Sequence, residues 1–289
     1  MKKIVNILVF FSLSFSQFVF SCSEDAKEGI LPKNDLSIPI ETKDRNTLSE
    51  EKFNSIIEKI QHIYAPLFSQ MGGTLQVEKK WIDGTVNAYA ERQGVIWKVI
   101  MYGGLARHMT ITPDGFALVM CHEIGHHLGG FPRYSDYHWA SNEGEADYFG
   151  ALKCLRRIWQ FDNNSDVART LKAPTFLVKS CEKNWPRLDD QNLCIRVGMA
   201  GDSVSRLFSA VSTNRWIAKF HKPDPKVVKI TLNSHPATQC RLDTYFQASL
   251  CEKSFEEDLG PIEEISGACH SSSGQTVGLR PRCWFKPAF

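Results

Sequence analysis

The chain has 289 residues, 43% of them apolar and 11% aromatic, with a formal net charge of +2. That apolar share can fill the core of one sizeable domain. A nearly balanced charge with no dense Lys/Arg run argues against a nucleic-acid surface.

Met1-Lys2-Lys3 is basic and the run from Ile4 to Phe20 is mostly apolar, the n-region and h-region of a secretory signal over residues 1–21. The run is interrupted and shorter than the roughly 20 residues that a membrane span needs. Val19-Phe20-Ser21-Cys22 resembles a bacterial lipobox. The resemblance implies an exported protein of the cell envelope, attached to the membrane through lipid on Cys22. Ser23 in the next position implies the outer membrane, facing the periplasm. Residues 22–46 are polar, carry Pro32 and Pro39 and keep no period, which predicts a flexible tether.

A catalytic domain is expected over residues 47–255. Ser49 is placed to cap a helix, with Leu48 and Phe53 as a hydrophobic staple, and Phe53, Ile56, Ile57, Ile60, Ile63 and Leu67 share one face. After Met71-Gly72-Gly73, the β-branched and aromatic stretches Thr74–Val77 and Val95–Tyr102 read as strands. Thr112-Pro113-Asp114 supplies an N-cap, a first-turn proline and an acid suited to the dipole of a helix from Pro113 to Leu128, which Gly129-Gly130-Phe131-Pro132 ends. Ser141-Asn142 caps a second helix through about Arg157, and a third is expected from Ser203 to Lys219. Asn163–Ala173 and Pro223–Pro225 read as connectors.

Residues 256–289 form a cysteine-containing extension packed on the domain. Eight cysteines follow Cys22, an even count that favours disulfides in an exported chain. At least three pairs are expected, with Cys240–Cys251 and Cys269–Cys283 first in line because they close short loops. The oligomeric state leaves no trace in the sequence.

The chemistry lies in His122-Glu123-Ile124-Gly125-His126. Histidines at i and i+4 present two imidazoles on one helical face, where both reach one metal ion, and Glu123 stands beside the metal's water. Sixteen residues separate His126 from Glu143, enough for a loop and an antiparallel return. Glu143 is the preferred third ligand, leaving a position open for water. Glu145 stays as an alternative about 200° around the helix. Asp147, one turn beyond Glu143, can accept the second ring N–H of a ligand histidine. His127 points elsewhere and reads as packing, as do Tyr134, Tyr137 and His138 in the loop, while Tyr89 and Tyr148 read as core.

With these residues in hand the chain resembles a gluzincin, and more closely the HtpX, CAAX endopeptidase and BepA-like family. Four segments carry the resemblance: Asn87-Ala88-Tyr89-Ala90 as a strand, the metal motif, Glu143 with Ala146 and Asp147, and Ser234-His235-Pro236-Ala237-Thr238 followed by Arg241. It implies an α+β zincin-like metallopeptidase domain, helical with a small sheet beside the metal-binding helix. It further implies one catalytic zinc ion, a peptide or protein substrate, and His235 and Arg241 near the metal. Glu123 is then the general base, and the strand Val95–Tyr102 is expected to pair with substrate backbone. Two rivals stay open: a zinc-binding lipoprotein without turnover, and a zinc hydrolase acting on a non-peptide amide. The loop between the two metal helices is shorter than HtpX-like proteins have, so the cleft's specificity does not transfer.

Overall fold

The first helix, α1 (Glu50–Gln70), starts at the expected cap, where Ser49 Oγ accepts the Lys52 N–H at 3.2 Å. It buries Phe53, Ile57, Ile60, Tyr64 and Phe68. The computed structural model describes residues 29–42, 48–135, 138–212 and 216–288. The signal segment 1–21, Cys22 and Tyr137 lie outside the described residues.

Three strands follow: β1 (Thr74–Lys80), β2 (Ala88–Gln93) and β3 (Ile96–Tyr102), in the spatial order β1-β3-β2. β3 runs parallel to β1 and antiparallel to β2, with Ala90 opposite Val99. β3 is thus the central strand, both of its edges are taken, and it has no free edge for substrate. That corrects the expectation for Val95–Tyr102: the strand with an outer edge toward the cleft is β2. Tight turns explain the arrangement, since Gly94 adopts φ 59° between β2 and β3.

After the short α2 (Gly103–Arg107), α3 spans Pro113–Leu128 as expected, with Thr112 Oγ1 accepting the Gly115 N–H at 3.0 Å. Every residue from Gly115 to His127 is buried. A helix apolar on all sides belongs in the middle of a core, and α3 touches α1, β2, β3 and the helices that follow. The next helix, α4 (Glu143–Phe149), is capped by Asn142, whose Oδ1 accepts the Glu145 N–H at 3.0 Å. It runs on through a π-helical turn, Gly150–Leu155, into α5 (Arg156–Trp159). The disulfide Cys121–Cys154 ties that turn to α3 at the residue before His122.

Two further expectations need correction. Asn163–Ala173 is not a plain connector but holds α6 (Asn164–Thr170), and α7 (Thr175–Asn184) follows it. The helix expected from Ser203 to Lys219 is α8, Leu188–Val211. α8 runs through Gly198 and Gly201, where close neighbours leave no room for a side chain. A Cβ on Gly201 would stand 2.7 Å from Tyr245 Cβ. Tyr245 belongs to α9 (Thr238–Leu250), which packs on α8 and α4.

The described cysteines form four disulfides: Cys121–Cys154, Cys181–Cys194, Cys240–Cys283 and Cys251–Cys269. The expected Cys240–Cys251 pair is not made because both cysteines lie on or next to α9 and face different partners, and Cys269 and Cys283 each cross to one of them. These crossings pin the last residues to the domain, as do Tyr148 Oη donating to the Gly278 carbonyl at 2.7 Å and Trp284 lying against Gly144.

The tether expected over 22–46 also needs correction where it is described. Ile30 and Leu31 are 0% and 1% exposed and belong to the main core, and Ile38 N–H bonds the Gly84 carbonyl at 2.7 Å. Two apolar residues among polar ones suffice when a ready-made slot receives them. Among the described residues, no helix is long and apolar enough to cross a membrane.

Candidate metal centre

α3 and α4 bring His122, His126 and Glu143 together, all buried, with one ligand atom of each within 4.8 Å of the others. The two Nε2 atoms are 3.1 Å apart. Glu143 Oε2 lies 3.4 Å from His122 Nε2, and its Oε1 lies 3.7 Å from His126 Nε2. Corners of a tetrahedron with bonds of about 2.0–2.1 Å are about 3.3 Å apart, so the three groups have the spacing of zinc ligands.

The ring nitrogens on the far side fix the tautomers. His126 Nδ1 stands 2.8 Å from the Ser141 carbonyl, which can only accept, so the proton is on Nδ1. His122 Nδ1 faces Asp147 Oδ1 at 2.8 Å and donates in the same way. Two imidazole Nε2 atoms and a carboxylate therefore converge on one buried point. Such a set is stable only around positive charge, and a dication fits the His₂Glu donors.

The electrostatics agree. Burial works against a charged His122, yet the Asp147 and Glu143 carboxylates raise it to about 9, so positive charge is favoured at this point. Burial beside His122 pushes His126 down to about 4. Burial alone would raise Glu143, but His235, His122 and His126 hold it well below the usual carboxylate range.

Glu123 follows His122 on α3 and is 0% exposed. Neither of its carboxylate oxygens has a hydrogen-bond partner among the described residues. Burial raises its pKa to about 8, giving it a higher proton affinity than a solvated glutamate. A buried carboxylate left without partners costs stability and calls for a functional reason.

Behind the histidines, Asp147 is the centre of a fully buried network. It accepts from His122, from Arg241 Nε and Nη2 at 2.7 Å each, and from Tyr245 Oη at 2.6 Å. Arg241 thereby orients the carboxylate that orients His122, and its Nη2 stands 4.0 Å from Glu143 Oε2. His235 Nε2 lies 3.2 Å from Glu143 Oε2. Glu145, the alternative ligand, turns away and is gripped by Arg280 Nε and Nη2 at 2.5 and 2.7 Å. His127 packs as expected, stacked on Trp139 at 4.8 Å with Nε2 donating to the Lys98 carbonyl, and burial pushes it down to about 3.

Sequence reasoning missed two tyrosines. Tyr134, read as loop packing, donates its Oη to Glu143 Oε1 at 2.7 Å and so orients that carboxylate. Tyr245 stands four residues after Arg241, one turn along α9, a spacing that could have marked it. A second cluster, Asp224 with Cys240 and Cys283, offers no thiolate because its cysteines are bonded to each other.

Against known families, the profile of Peptidase family M48 matches residues 50–245, from the start of α1 into α9. Neither the curated proteins nor the solved structures gave a match.

Proposed function

Because the chain belongs to Peptidase family M48, a family of zinc-dependent peptidases, we propose that it is an endopeptidase that hydrolyses peptide bonds with His122, His126 and Glu143 holding zinc and Glu123 as general base. The observation that carries the reading is the meeting of two imidazole Nε2 atoms and a carboxylate beside a buried glutamate whose oxygens have no hydrogen-bond partner among the described residues. When bound, a zinc ion supplies Lewis acidity toward a carbonyl oxygen and lowers the pKa of a water.

The chain's own residues do the rest. Glu123 takes the proton of the attacking water and delivers it to the leaving amine, which its position one residue from a ligand allows. His235, beside Glu143, would donate to the carbonyl oxygen as charge develops there. Arg241 acts through Asp147, holding His122 in the tautomer that keeps Nε2 unprotonated. The outer edge of β2 offers main-chain groups to an extended peptide.

Dialysis against a chelator should abolish cleavage of a quenched peptide, and about one equivalent of zinc should restore it. Cleavage that persists in metal-free protein would refute the reading. Export through residues 1–21 and lipid attachment at Cys22 belong to the same reading, and the four disulfides accord with an oxidising compartment. An unmodified Cys22 at the N-terminus of the mature chain, seen by mass spectrometry, would remove the anchor.

A further inference from the structure

Resting on the peptidase reading, we propose that Gly29-Ile30-Leu31 is a built-in occupant of the peptide cleft and that the chain as folded is latent. The segment lies on the outer edge of β2 as an extended peptide would. Ile30 N–H donates to the Ala88 carbonyl at 3.2 Å. The Asn87 side chain takes both main-chain groups of Leu31, accepting from its N–H and donating to its carbonyl at 3.0 Å each.

The remaining carbonyls go to the groups behind and beside the metal ligands. His235 Nε2 lies 2.9 Å from the Gly29 carbonyl, and Arg241 Nη1 donates to the Ile30 carbonyl at 2.8 Å. The Ile30 backbone is also near enough to Glu123 to act on its charge. The Gly29–Ile30 peptide group thus sits between His235 and Glu123, where a peptide to be cut would place its scissile bond. Ile30 N–H donates to the Ala88 carbonyl of β2. The segment is therefore held on β2 as an occupant.

Glycine at position 29 is a condition of this fit. A Cβ there would stand 1.8 Å from the Ala88 carbonyl oxygen and 2.8 Å from both Asn87 Oδ1 and Tyr89 Cδ1. No side chain can enter without moving the segment off β2. Ile30 and Leu31, both essentially unexposed, fill apolar space on either side. A tethered occupant of this kind competes at millimolar effective concentration, so a free peptide meets a cleft that is rarely open.

The test uses the full chain carrying Gly29→Ala, loaded with zinc, and a fluorescein-labelled peptide Gly-Ile-Leu-Pro-Lys-Asn, which repeats residues 29–34. The variant should bind the peptide at least about tenfold more tightly than wild type, read by anisotropy, and should cleave a quenched substrate at least about tenfold faster. Ile30→Pro, which removes the N–H given to Ala88 together with the buried Ile30 side chain, serves as the second variant should alanine impair folding. Equal peptide binding by wild type and both folded variants would overturn the proposal. Tighter binding with no cleavage by any variant would uphold the occupant and instead refute the peptidase reading.

Discussion

Glu123→Gln leaves zinc content unchanged while peptide turnover falls by about 10²–10⁴-fold, the usual contribution of a positioned general base. The amide is isosteric, and the carboxylate it replaces makes no hydrogen bond among the described residues, so no structural contact is lost. Burial already penalises the charge at this position, shown by a pKa near 8, so the metal-free variant should melt no lower than wild type. What the amide cannot do is accept a proton from water. Metal analysis, melting and single-substrate kinetics on one preparation separate these effects. Turnover within a few-fold of wild type would remove Glu123 from the mechanism.

Asp147→Asn damages both the metal site and the fold. Asp147 receives four donors from His122, Arg241 and Tyr245 in a buried setting. An asparagine offers one acceptor oxygen and turns an N–H₂ toward donors. Arg241, 2% exposed, is then left with the Ile30 carbonyl, the face of Phe208 at 3.9 Å and Glu143 at 4.0 Å. Removing one partner of a buried pair costs about 3–5 kcal/mol in unfolding free energy. Loss of the group that orients a ligand histidine weakens zinc binding by about 10–100-fold. Denaturant melts of the metal-free chain measure the first, and competition with a zinc-binding dye measures the second. A change below about 1 kcal/mol together with unaltered zinc affinity would show that the network does not support the site.

The metal helix was the most legible element because its signals are local. Cap, proline, apolar run and stop glycines lie within Thr112–Pro132, and the ligand spacing is fixed by helical geometry alone. Glu143 and Asp147 were legible for the same reason, one turn apart behind the Asn142 cap. Long-range facts were not. Disulfide partners depend on which faces of α9 meet the last forty residues, and short loop length pointed to the wrong pairs. α8 lies earlier than expected, and its close packing on Leu177 and Tyr245 through Gly198 and Gly201 is a long-range fact that no local pattern carries. Gly29-Ile30-Leu31 was hidden in a polar stretch, since nothing local says that β2, His235 and Arg241 await its main chain. Tyr134 read as packing because a loop carries no period.

The central claim is that one metal ion sits where α3 and α4 converge, and X-ray anomalous scattering at the zinc edge tests it most directly. The account predicts one strong peak per chain about 2.0–2.1 Å from His122 Nε2, His126 Nε2 and a Glu143 oxygen. A zinc-loaded protein with no peak among these three residues, or with its zinc held elsewhere, would contradict it.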